Sequence, residues 1–139
     1  MSKNKEKFNA DFRLIQITER RFDFNVPDAF QPRGDFQYAV SLEISMNASK
    51  QKFYVDNRIE VRSEVNGAVL CLQDTRYYFE LIADKAIDVL PSDLQISANA
   101  ISLSTSRGLL YSRLRGTALH NAILPLIDAS AFSTNQVGQ

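Results

Sequence analysis

The sequence predicts an α+β fold in which a four-stranded antiparallel sheet is followed by a long helix and a short C-terminal helix. Two patterns carry this. Between residues 36 and 81 apolar side chains recur on every second position, the period of half-buried strands, and after Pro91 a helical period replaces it. The chain has 139 residues, 45% of them hydrophobic and 23% charged, enough for one core and hardly for two. Residues 10–132 read as a single domain. The flanking segments 1–9 and 133–139 read as flexible tails, because neither has the apolar surface to offset ordering entropy.

The first strand runs from Phe12 through Leu14, Ile15 and Ile17 to Phe22, Phe24 and Val26. It is long or kinked, since Glu19-Arg-Arg21 interrupts its apolar alternation, and Pro27 ends it. A loop with Pro32, Arg33 and Gly34 follows. The second strand places Phe36, Tyr38, Val40, Leu42, Ile44 and Met46 on one face and Gln37, Ala39, Ser41, Glu43 and Ser45 on the other. The third sets Phe53, Val55, Ile59, Val61 and Val65 against Tyr54, Asp56, Arg58, Glu60, Arg62 and Glu64. Asn66-Gly67 suits a two-residue hairpin turn into a fourth strand over residues 68–81.

Ser92 and Gln95 have capping-box spacing, which predicts a helix over 93–114. Its expected stripe is Leu94, Ala98, Ile101 and Thr105, flanked by Leu103, Leu110 and Leu114. Gly108 costs about 1 kcal/mol inside it unless close packing explains the residue. Arg113 and Arg115 suit the negative end of the helix and Gly116 its stop. Ala118–Ile127, broken by Pro125, predicts an extended segment leading to a terminal turn or helix around Asp128–Phe132.

Sixteen Lys+Arg balance sixteen Asp+Glu, so no net field attracts nucleic acid or a membrane surface. Cys71 and His120 are the single residues of their types, too few for a His/Cys metal site, and no cofactor is expected. One unpaired cysteine, a charged start and the lack of a long apolar run make a cytoplasmic protein the expectation. Phosphate loops, His-Glu-x-x-His and Gly-x-Ser-x-Gly elbows do not occur, and no catalytic residue is assigned. Arg107, Arg113 and Arg115 form either a basic strip or a solvated helix face. An apolar sheet face and a helix apolar on more than one side exceed what two layers can hide, which predicts a homo-oligomer with helices packed between sheets.

The element order and three local matches resemble the SecB family of export chaperones. The matches are Phe12-Arg-Leu-Ile-Gln-Ile-Thr-Glu-Arg-Arg-Phe-Asp-Phe-Asn-Val-Pro27, Asp35-Phe36-Gln37 with Val40, Leu42 and Ile44, and Arg115-Gly-Thr117 with Pro125 and Phe132. The likeness spans residues 10–132, with Phe36 where the family usually has Trp. It implies a homotetramer, built as a dimer of dimers, that holds unfolded preproteins or other non-native polypeptides in apolar grooves without ATP. Positions matching or adjoining the family's client contacts are Phe12, Phe36, Leu42, Ile44, Leu70, Tyr77, Tyr78 and Phe79. Tyr77-Tyr78-Phe79 cannot all face one side of a strand, so at least one ring meets solvent, a subunit or a client. Cys71, Ile101, Leu109 and Leu110 are the expected oligomer interface.

The best-known family members dock the SecA motor through an acidic sheet face and a C-terminal segment. Here the pI is about 6.6, and Arg58 and Arg62 interleave with Asp56, Glu60 and Glu64. That weakens the case for SecA and gives equal weight to another pathway, such as control of a toxin–antitoxin pair. Two alternatives from other classes are a hot-dog-type acyl-CoA thioesterase, whose helix usually precedes most strands, and a non-catalytic interaction module.

Overall fold

In a computed structural model, the described residues are 10–27, 35–47, 51–83 and 89–128. Strands β1 (Ala10–Phe24), β2 (Phe36–Met46), β3 (Lys52–Ser63) and β4 (Val69–Ala83) precede helix α1 (Ser92–Leu114). The sheet order is β1-β4-β3-β2, with every neighbour antiparallel. The chain therefore crosses from one sheet edge to the other between β1 and β2, then folds back strand by strand. The tails and the loop with Pro32, Arg33 and Gly34 lie outside the described residues. So does the end of the expected terminal helix, residues 129–132.

β1 is kinked as its charged middle predicts. Its register against β4 slips between Leu14 and Gln16 and again between Glu19 and Arg21. Each slip is a bulge, which bends and twists an edge strand. On the face shared with α1, Phe12, Leu14 and Ile17 stand opposite Leu81, Phe79 and Tyr77.

The β3–β4 connection differs from the expected two-residue turn. It spans residues 64–67: Ser63 N–H bonds Ala68 O at 2.9 Å and Gly67 N–H bonds Ser63 O at 2.7 Å. Gly67 takes φ +71°, the left-handed region that a side chain resists. Val65, expected to face inward from β3, lies in this turn and is 77% exposed. Sequence alternation carries no mark of where a strand stops, and Val65 continues the pattern of β3 into the turn.

α1 has the predicted bounds but other details. Ser92 makes no capping bond; Gln95 Nε2 reaches back to Leu90 O at 2.9 Å instead. The buried face is Gln95, Ala98, Asn99, Ser102, Leu103, Ser106, Leu110 and Leu114. The expected stripe through Ile101 is rotated off this face, and Ile101 is exposed. The reading followed apolar residues alone, whereas half of the buried face is polar. Past the helix, Arg115 (φ −62°, ψ 136°) and Gly116 (φ +78°) form a type II turn closed by Thr117 N–H on Leu114 O at 3.1 Å. Thr117 Oγ1 also donates to Leu114 O at 2.7 Å and accepts from Leu119 N–H at 3.0 Å. The Arg-Gly-Thr motif is thus a built chain reversal, which returns residues 119–124 onto the sheet.

Candidate functional site

One face of the sheet is covered by α1 and the segment after it, and the space between holds two apolar clusters. Toward the helix N-terminus, Leu42, Ile44, Phe53, Val55, Tyr77, Phe79, Leu90, Ala98 and Leu103 pack together. Toward its C-terminus, Ile59, Val61, Leu70 and Cys71 pack with Leu110, Leu114, Leu119, Ala122 and Leu124. Alternation along β2, β3 and β4 sends these sheet residues to the same side, and the register slip between Val61 and Arg62, which leaves Leu70 between the paired Val69 and Cys71, lets Leu70 join them. Phe53 stacks on Phe79 with centroids 5.0 Å apart, and Phe12 meets both rings edge-on.

A polar seam divides the clusters. Asn57, Gln73 and Thr75 occupy inward positions of β3 and β4, and Asn99, Ser102 and Ser106 face them from α1, all buried. Gln73 Nε2 donates to Ser106 O at 3.0 Å, the Tyr77 hydroxyl pairs with Ser106 Oγ at 2.6 Å, and Asn57 Nδ2 approaches Ser102 Oγ at 3.4 Å. Burial pushes the Tyr77 hydroxyl pKa up, against the Ser106 bond that lowers it. Asn57 Oδ1, Gln73 Oε1 and both polar side-chain atoms of Asn99 have no hydrogen-bond partner among the described residues. The signal for this seam was legible: Asn57, Gln73 and Thr75 break the inward apolar series of their strands.

Two apolar features remain open. On β1, Leu14 (38% exposed) and Ile17 (44%) lie on the helix side but beyond the cover, and Ile15 (43%) is exposed too. β1 is an edge strand, so one side of its backbone is also unpaired within the sheet. Between α1 and residues 124–128 lies a cavity of about 350 Å³, lined by Ile96, Leu103, Arg107, Leu124, Leu126 and Ile127 among others. Arg107 Nε closes one end by donating to Leu124 O at 2.6 Å.

The opposite face is a lattice of arginines and carboxylates. Arg76 grips Asp56 through two bonds of 2.6 and 2.8 Å, and Arg20 adds a third contact at 2.9 Å. Burial opposes ionisation of Asp56, but these two guanidiniums outweigh it and hold its carboxyl below the usual value. Glu60 pairs with Arg62 and Arg58, and Glu80 with Arg13. Arg76 also lies over the Tyr54 ring, 4.2 Å from its centroid.

The predicted positions separate into three groups. Phe12, Leu42, Ile44, Tyr77 and Phe79 belong to the first cluster, where Phe12 alone is part-exposed. Phe36 and Leu70 belong to the second, with Phe36 half-buried. Tyr78 points to the charged face and packs on Tyr54 with centroids 5.8 Å apart. Among the expected interface residues, Cys71 and Leu110 are buried within the chain, Leu109 is half-buried and Ile101 is exposed. Burial pushes the Cys71 thiol up to about 11, so it is a neutral core thiol. Arg107 and Arg113 do not form a strip with Arg115, which lies in the turn past the helix. Arg107 is spent on Leu124, and Arg113 forms a double ion pair with Glu19 while lying over Phe22. His120 Nδ1 bonds its own turn at Thr117 O, 2.9 Å away. Among the described residues, no cluster of His, Cys, Asp or Glu could hold a metal ion, and no helix is long and apolar enough to cross a membrane.

No family model and no curated protein matches the sequence. Among solved structures, the chain is similar to a SecB-like chaperone of Mycobacterium tuberculosis, determined in complex with a ChAD peptide from an antitoxin. The TM-score is 0.59 at 14% identity, over 84% of this chain and 89% of that one. The likeness extends over most of both chains, so the fold of this protein is SecB-like.

Proposed function

We propose that this protein is an ATP-independent holdase, a homotetramer built as a dimer of dimers, that binds unfolded preproteins or other non-native polypeptides in the cytoplasm and catalyses no reaction. The observation that carries the reading is the exposed apolar series Leu14, Ile15 and Ile17 beside Phe12 on a sheet edge of SecB-like fold. Such a strip offers both halves of what an unfolded segment needs: apolar area, at about 25 cal/mol per Å² removed from water, and unpaired backbone for strand addition. In the tetramer the outer side of α1, with Ile101, is a surface for subunit contact, which leaves the β1 edge to the client.

Client pathway follows from charge. The carboxylates of the outer face are neutralised by neighbouring arginines, which leaves little field for a motor such as SecA. A role in a toxin–antitoxin pair is the favoured pathway, because the similar mycobacterial chaperone was solved with an antitoxin peptide. A thioesterase reading would ask Glu80 for catalysis, and Glu80 is ion-paired on the outer face.

The deciding experiment is the native mass of the assembly with and without a reduced, unfolded polypeptide. Four chains with bound polypeptide, suppression of client aggregation without nucleotide, and no thiol release from acyl-CoA thioesters are the expected results. A monomer, or a tetramer that leaves aggregation unchanged, would overturn the proposal.

A further inference from the structure

Helix α1 turns one flank toward the segment that returns past it. Ile96, Ala100, Leu103 and Arg107 follow one another at helical spacing, which stacks them in a single stripe about 16 Å long at 1.5 Å per residue. Leu124–Asp128 run back along this stripe: Arg107 bonds Leu124 O at one end, and Ile96 and Ile127 both pack against the first cluster toward the other. Between the two lies the cavity of about 350 Å³, a volume that suits a small molecule. Ile101, assigned above to subunit contact, is not among its lining residues.

The cavity is apolar along its length and charged at its ends. Ile96, Leu103, Leu124 and Ile127 form its walls, and Leu126, which also lines it, is 85% exposed. At one end stands Arg107, half-buried, with only its Nε spent, on Leu124 O. Its two Nη groups have no partner among the described residues, whereas Arg13, Arg20, Arg76 and Arg113 are each ion-paired. A half-buried guanidinium that keeps its terminal fork unpaired is matched by a carboxylate, which accepts two parallel N–H bonds from it. Asp128, at the far end of the lining segment, has a partner of its own, and its charge directs an anionic head away from itself toward Arg107.

We infer that this cavity is a binding site for an aliphatic monocarboxylate, with the carboxylate on the Arg107 Nη groups and the chain lying along Leu103, Ala100 and Ile96 toward Ile127. A linear alkyl chain suits these walls, because it brings no polar group that would need a partner among them. It also removes the exposed Leu126 from water. The site goes beyond the holdase reading and does not depend on it, since every lining residue comes from one chain and no polypeptide takes part.

Isothermal titration of the full chain with octanoate, n-octanol and acetate, in the absence of any polypeptide, tests this. Octanoate should bind saturably, one per chain, and about tenfold or more tightly than n-octanol, which lacks the charge, or acetate, which lacks the chain. Arg107→Gln, whose amide still donates to Leu124 O, should weaken octanoate about tenfold and leave n-octanol unchanged. Ala100→Phe fills the cavity from an exposed helix position and should abolish octanoate binding, with circular dichroism and native mass unchanged. Ser104→Phe, also on the lining, takes its place if that variant does not fold. Absence of saturable octanoate binding, or equal affinity in wild type and Arg107→Gln, overturns the site. So does undiminished binding in a folded phenylalanine variant, which places octanoate elsewhere on the chain. Polypeptide holding is measured without octanoate, so the failure of either reading leaves the other standing.

Discussion

The two faces of the sheet are built from the same strands, one residue apart, and they do different work. The covered face is apolar at Phe53, Val55, Ile59 and Val61, all without solvent exposure. The outer face carries Tyr54, Asp56, Arg58, Glu60 and Arg62 from the intervening positions of β3. Its ion pairs sit in high dielectric and contribute about 0–1 kcal/mol each, whereas a buried aromatic contributes several times more. Even there the long side chains are not merely wet: Leu72, on the outer face, is only 5% exposed. Arginine stems shelter apolar surface while their heads stay paired. The difference teaches that stability resides on one face, and that the other chiefly determines what cannot dock.

The largest effect that would break this comparison is expected at Phe79. Truncation to Ala removes the stack on Phe53 and the edge contact with Phe12, and should cost about 3–5 kcal/mol in a denaturant titration. Loss of less than about 1 kcal/mol would mean that the covered face does not hold the fold together. Cys71 supplies a reporter on the same face. With its thiol pushed up to about 11 by burial, it should resist thiol reagents at neutral pH and react only on unfolding.

Strand number, strand faces and helix bounds were legible because period-2 alternation and the stop at Gly116 are local properties. Sheet order was not, since nothing local in β1 says that it pairs with β4 instead of β2. The turn at 64–67 was misread because Val65 continues the alternation of β3 after pairing has ended. In the site, Phe12, Phe79 and Tyr78 were identifiable as residues, but their exposure depends on where α1 lies. The helix face itself was missed at Asn99, Ser102 and Ser106, for burial of polar residues is a tertiary bargain that hydropathy cannot express. Leu14 and Ile17 were legible as apolar positions of the first strand but not as exposed ones, and the position of β1 at an edge leaves them open.

A smaller effect is expected on the outer face at Asp56. Its carboxyl is held below the value of 3.8 by Arg76 and Arg20, so the stabilisation it supplies is complete above the unfolded pKa and is lost as pH falls through the folded one. Asp56→Asn should cost about 1–2 kcal/mol at neutral pH and flatten the acid limb of a stability-versus-pH curve below that value. An unchanged acid limb would show that the arginines gain nothing from the charge.

The smallest effect sharpens the comparison most. Glu60 accepts from Arg62 at 3.0 Å and lies 3.6 Å from Arg58. Both arginines are more than 40% exposed, however, and water and salt compete for them. Glu60→Gln keeps the side-chain shape and removes one charge, so stability should change by less than about 0.5 kcal/mol, and less still in high salt. The surface would gain net positive charge at that point, which raises any affinity for an acidic partner without touching the covered face. If instead Glu60→Gln cost as much as Asp56→Asn and the loss persisted in high salt, the charged lattice would be a second structural layer and the division of labour between the faces would fail.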